Sequence, residues 1–206
     1  MSSSSSLLYL ASASPRRHEI LLQMGVAHQI LDVPSPPGED EPQLPGEAPE
    51  NYVRRTAMDK AIRAVEWLAA SHNKPLLPVL TADTTVILHG EILGKPQDLH
   101  DAKQMLKRLS GQTHQVHTAV VLAHQDKFME DVSITEVRLK TLSENEIDAY
   151  CATGEPRGKA GSYGIQGAAA FFIEHISGSY SGVMGLPIFE THRLLESAGL
   201  SVFGAN

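Results

Sequence analysis

The segment Pro78–Leu88, Pro-Val-Leu-Thr-Ala-Asp-Thr-Thr-Val-Ile-Leu, does most to fix what this chain can fold into. Its apolar and β-branched residues predict a buried strand. His89-Gly90-Glu91 then turns it into a second short strand ending near Leu93. An aspartate inside such a strand is costly unless it is paired, bound to metal or facing a cleft. Asp83 is therefore the best single candidate for a general base or a metal ligand, weighed against an aspartate merely satisfied at a strand end.

The segments around it supply partners for that strand. Leu7–Ala11 reads as a short buried strand. Pro15 follows at a position suited to a helix's first turn, and the helix runs through Met24 to a stop at Gly25. His28–Val33 predicts another strand. Pro34–Pro49 is proline-rich and acidic, a loop long enough to suggest function. A long helix follows over Pro49–Ser71, with Val53, Ala57, Ala61, Ala64, Val65 and Leu68 at helical spacing. Leu99–Leu109 reads as a helix closed by Gly111. Thr113–Ala123 and Phe128–Leu139 read as a pair of long strands. Ser143–Ala152 reads as a helix opening on the capping-box pattern Ser-Glu-Asn-Glu. After the glycine-rich Gly154–Gly167 come a strand over Ala169–Ile176 and a last helix over Pro187–Ser197. Strands and helices alternate early and a strand pair sits in the middle, so an α/β fold with a mixed sheet is expected.

No repeat is visible, and the 206 residues with 42% apolar content fit one domain with a real core behind a frayed tail at Ser2–Ser6. The net charge of −7 argues against a general nucleic-acid binder. A small anion needs only a few cations gathered in one cleft. The single cysteine, Cys151, excludes a disulfide within the chain and reads as a half-buried helix residue in a reducing compartment. No basic leader and no window of roughly 20 apolar residues appears, so a cytoplasmic, non-membrane protein is expected.

Four segments carry candidate chemistry. Ser12-Ala13-Ser14-Pro15-Arg16-Arg17 joins a strand to a helix N-terminus, where backbone N–H groups favour phosphate. Ser12 and Ser14 can add hydroxyl donors, and Arg16 and Arg17 bidentate forks. The plain alternative is a surface helix with two solvated arginines. Asp83 is the second feature. Gly94-Lys95-Pro96 is the third, and with Lys60 and Lys159 it supplies scattered cations, each of which alone reads as a surface charge. The fourth, Gly158–Gly167, lets a ligand approach the backbone closely, and its Gln166 amide suits the edge of a nucleobase. Neither a Walker loop nor a dinucleotide Gly-x-Gly-x-x-Gly pattern is present. His114 and His117 have the spacing of a metal pair, but residues three apart on a strand point to opposite faces.

Taken in order, these segments resemble the Maf family of nucleotide pyrophosphatases. The matching stretches are Leu10–Arg17, Lys60-Ala61, Asp83-Thr84, Lys95-Pro96, Ser110–His114, Lys159–Gly167 and Val183–Pro187, so the likeness spans roughly Leu8–Leu200. Two mild departures are Met58-Asp59 before Lys60 and Thr56 where leucine is common. The Pro34–Pro49 loop is longer than typical. The family's metal-binding acid there corresponds to Glu41, with Glu39 as the alternative. The resemblance implies two lobes with a cleft between them and a homodimer. It implies hydrolysis of a nucleoside triphosphate between the α and β phosphates, aided by Mg2+ or Mn2+. Ser12, Ser14, Arg17, Lys60, Lys95 and Lys159 would hold phosphate. Asp83 would activate water or hold the metal. Arg16, Thr84 and Gln166 match the type that prefers dTTP and UTP. A pyrophosphatase for other or modified nucleotides, or a nucleotide-binding regulator of septum formation, are the competing readings.

Overall fold

A computed structural model describes residues 7–35, 42–71, 74–200 and 202. Glu39 and Glu41 lie outside the described residues. The strands are β1 (Leu8–Leu10), β2 (His28–Ile30), β3 (Val79–Leu88), β4 (Glu91–Leu93), β5 (Thr113–His124), β6 (Lys127–Leu139) and β7 (Ile173–Ser177). The helices are α1 (Pro15–Gln23), α2 (Pro49–Ala70), α3 (Leu99–Leu109), α4 (Glu144–Ala152), α5 (Tyr180–Met184) and α6 (Ile188–Ser197).

All seven strands form one mixed sheet in the order β2-β1-β3-β5-β6-β7, with β4 also on β3. β1 runs parallel to β2 and β3, and the remaining pairings are antiparallel. The expected mixed α/β fold is what the chain forms. Two elements differ from expectation. Ala168–Phe172 is a 3-10 turn rather than the start of a strand, so β7 begins only at Ile173. The short helix α5 was not expected. It starts where the Ser179 hydroxyl accepts the Gly182 N–H and ends at Gly185, whose φ of 118° lies in the left-handed region.

Local chemistry explains most of the rest. The Asp98 side chain caps α3 by accepting the Asp101 N–H, while Lys107 and Arg108 complement the helix's last turn. Ser143 and Glu146 form the expected capping box on α4. Gln125 and Asp126, with φ of 50° and 59°, make the two-residue turn between β5 and β6. Two positive φ values are what a tight turn between right-twisted strands requires.

β3 is the spine of the sheet. One edge pairs with β5 from Val79 to Ile87. The opposite edge pairs with β1 only at Val79 and Leu80, and with β4 only from Val86 to Leu88. Between Leu80 and Val86 no described strand covers that edge. The sheet is thus split along one side of β3, and Asp83 and Thr84 stand in the middle of the gap. One apolar cluster, built on α3, α4 and the far end of β3, lies beyond the gap. Another, built on β1, α1 and α6, lies before it. That arrangement is compatible with the two lobes expected.

Candidate active site

Alternation along β3 sends Asp83 and Thr84 to opposite faces. On the Asp83 face lies α2, whose Ala57 and Ala61 pack closely with Ala119 and Val121 of β5. Small side chains there let the helix approach the strand, and Thr81 donates a hydrogen bond of 3.0 Å to the Ala57 carbonyl. Asp83 is 4% exposed and fully engaged. Lys60 Nζ donates to its Oδ1 at 2.7 Å, and Thr56 Oγ1 donates to its Oδ2 at 2.8 Å. The cost of a carboxylate in an apolar strand is offset by these two donors.

On the other face, Arg17 of α1 is fixed by several acceptors. Its Nε donates to the Gly185 carbonyl at 2.7 Å, Nη1 to Ser12 Oγ at 3.1 Å and Nη2 to Thr84 Oγ1 at 3.4 Å. Thr118, opposite Thr84 on β5, continues the chain. Its hydroxyl has two acceptors within reach, the Gly182 carbonyl at 2.8 Å and Thr84 Oγ1 at 3.1 Å. Arg16 Nε donates to the Met184 carbonyl at 3.2 Å. The Ser14 hydroxyl makes no cap on α1; its backbone N–H instead donates to Ser12 Oγ at 3.2 Å.

Both faces open into one cavity of about 730 Å³ at the gap in the sheet. Ser12, Ser14, Arg16, Arg17, Lys60, Asp83, Thr84, Lys95 and Lys159 all line it, so nearly every residue proposed from sequence converges there. Gln166 does not. It is exposed and lies beyond Tyr163, the last residue of the glycine-rich loop on the cavity wall. Burial, and then the charge of Arg16, hold the Lys159 ammonium's pKa below its ordinary value. Like charges brought together this way mark a site complementary to an anion.

The glycine-rich loop has two anchors. Tyr163 meets His114 edge to face, with its hydroxyl 2.7 Å from His114 Nε2. Glu155 accepts from the Tyr150 hydroxyl and from the Ala168 N–H, each at 3.0 Å, and its backbone carbonyl accepts from Lys159 Nζ. His114 and His117 take separate partners, Tyr163 and Gln115 respectively, as their strand spacing requires. Cys151 is fully buried in α4, deeper than expected, and burial raises its thiol pKa.

Among the described residues no group of three or more His, Cys, Asp or Glu side chains is placed to hold a metal. The cavity does present oxygen donors from Asp83 and Asp32, a chemistry that fits a hard divalent cation. Sequence reasoning missed Asp32 and Arg63 on the wall, and Thr56, Thr118 and Glu155 behind it. For Thr56 a signal existed, since it stands one helical turn before Lys60 on the same face.

Fold and site define a class: an α/β protein that opens a cationic cleft at an interruption in its own sheet, with one buried carboxylate at the centre. Such a cleft suits a ligand carrying several phosphate charges. The chain belongs to the Maf family, whose signature, described as Maf-like protein, matches residues 7–198. It is 63% identical over 195 residues to the dTTP/UTP pyrophosphatase of Bordetella pertussis (strain Tohama I), covering 95% of this chain and 94% of that protein. It is 52% identical over 201 residues to a protein of the same name from Nitrosomonas europaea, covering 95% and 96%. The corresponding Ralstonia nicotianae protein is 50% identical over 198 residues, covering 95% of each chain. No helix among the described residues is long and apolar enough to cross a membrane.

Proposed function

We propose that this chain hydrolyses dTTP and UTP between the α and β phosphates, releasing the nucleoside monophosphate and pyrophosphate. The observation that carries the reading is electrostatic. In a chain of net charge −7, six cationic side chains and only two carboxylates line one cavity among the described residues. Ser12, Ser14, Arg17, Lys60, Lys95 and Lys159 hold the phosphates. Asp83 takes a proton from the attacking water or holds a metal. Mg2+ or Mn2+, held by Asp83 with Glu41 or Glu39, would offset charge on the phosphate oxygens when bound.

The names of the relatives support the choice of base. Arg16, Thr84 and Gln166 are assigned to it. Gln166 lies off the cavity wall, so its assignment to the O4 and N3 edge of uracil or thymine rests on the family resemblance alone. A single domain, a homodimer and a cytoplasmic setting complete the proposal.

The test is pyrophosphate release from the common nucleoside triphosphates, with Mg2+ and with Mn2+, by the natural chain and by Asp83→Asn. The natural chain should favour dTTP and UTP. Asp83→Asn should lose roughly a hundredfold to ten-thousandfold in turnover while staying folded. Near-normal turnover by Asp83→Asn would overturn the reading.

A further inference from the structure

We propose that Thr56 is a positioning residue for Asp83, holding the carboxylate in one orientation toward the cavity. The inference rests on the reading of Asp83 as the catalytic carboxylate. Thr56 and Lys60 stand one turn apart on α2, and each addresses a different oxygen of the same group, at 2.8 Å and 2.7 Å. A carboxylate swings easily about its terminal torsion, which is broad and roughly two-fold. Two donors on two oxygens remove that freedom.

The directional part of the grip comes from threonine. The lysine ammonium is a compact charge on a flexible stem and can follow a rotating carboxylate. The threonine is β-branched, stiff at its first torsion and 2% exposed. Its hydroxyl has two other acceptors within reach, the Tyr52 carbonyl at 3.0 Å and the Val53 carbonyl at 3.1 Å. One proton cannot serve all three. The anionic acceptor is both the nearest and the strongest, so the proton points at Asp83. α2 is tied to β3 independently, through the bond from Thr81 to the Ala57 carbonyl. Removing the Thr56 hydroxyl therefore reaches the carboxylate without untying the helix.

The experiment uses the full chain with dTTP, comparing Thr56→Val, Thr56→Ser and Asp83→Asn. Valine keeps the shape of threonine and lacks the donor. Its kcat should fall roughly tenfold to a hundredfold, the worth of a hydrogen bond to a charged group, with KM within about twofold of the natural value. Serine should restore kcat to within about threefold of the natural chain, because it keeps the donor. Thr56→Ala, which also lacks the hydroxyl, carries the same test if the valine variant does not fold. An unchanged kcat in the folded hydroxyl-free variants overturns the inference, as does an equal loss in the serine variant. Asp83→Asn separates the two levels. If it is inactive while Thr56→Val is fully active, the positioning role alone fails; if it is active, the reading of Asp83 fails with it.

Discussion

Gly167→Ala tests whether the glycine-rich loop is seated by contact rather than by backbone conformation. Gly167 has φ −99° and ψ −155°, extended values open to any residue. Its difficulty is space. A Cβ there would lie 2.1 Å from Glu155 Oε1 and 2.6 Å from Oε2, inside the 3.0 Å that real Cβ atoms keep. The carboxylate would have to retreat by about 1 Å, beyond the reach of at least one of its two 3.0 Å donors, the Tyr150 hydroxyl and the Ala168 N–H. Losing a charge-assisted bond costs about 1.5–3 kcal/mol and forced overpacking about 1–3. Partial relief of one by the other sets the expected loss at about 2–4 kcal/mol. For a chain of this length that lowers Tm by about 5–15 °C. Lys159 donates to the Glu155 carbonyl, so displacing Glu155 also moves a cavity cation. KM for the nucleotide should therefore rise more than kcat falls. Calorimetry and steady-state kinetics read both effects. Glu155→Ala/Gly167→Ala should be no less stable than Glu155→Ala alone, to within about 0.5 kcal/mol, because the clash partner is gone. Additive losses, or a Tm unchanged by Gly167→Ala, would refute the contact argument.

Other perturbations address charge, base choice and pH. Arg17→Ala and Lys95→Ala should each lower kcat/KM on every nucleotide by a similar factor, since phosphate is common to all; a loss confined to one base would assign these residues to the base instead. Gln166→Glu should shift the ratio of kcat/KM for UTP over CTP toward CTP, because a carboxylate accepts from the cytosine amine and cannot donate to O4 of uracil; a constant ratio removes Gln166 from base recognition. Burial holds His114 neutral, with a pKa pushed down to about 4 from 6.5. Between those values the unfolded chain binds a proton that the folded chain refuses, so stability present above pH 6.5 falls by about 3 kcal/mol as pH drops to 4. His114→Gln, followed by denaturant unfolding across this range, should flatten that slope; an unchanged slope would place the loss elsewhere.

The sequence was legible wherever one local rule sufficed. The capping box at Ser143, the helical stripe through Ala57 and Ala61 and the apolar run at β3 each announced an element. Ala168–Phe172 misled because an apolar run of that length is ambiguous by periodicity, and contact with Glu155 curled it instead of extending it. α5 escaped because five residues bounded by Ser179 and Gly185 look like a turn. In the site, charged residues beside glycine and proline stood out. Thr56 and Thr118 did not, since a buried threonine on a helix or strand looks like packing until the acceptor across from it is known. Thr56 appeared as a mild departure from the family pattern, yet it binds the central carboxylate.

The interruption beside β3 also bears on solubility. A strand edge without a partner is a template on which another chain can add, and many proteins spend residues to blunt such edges. Here the stretch between Leu80 and Val86, uncovered by any described strand, borders a cavity lined by Arg17, Lys60, Lys95 and Lys159. An incoming strand would have to take those charged side chains out of water, which is costly. The side chains that suit the cleft to phosphate thus also act as gatekeepers against edge-to-edge association. Each cation removed to study phosphate binding takes away part of that guard, and aggregation belongs among the properties followed in every such variant.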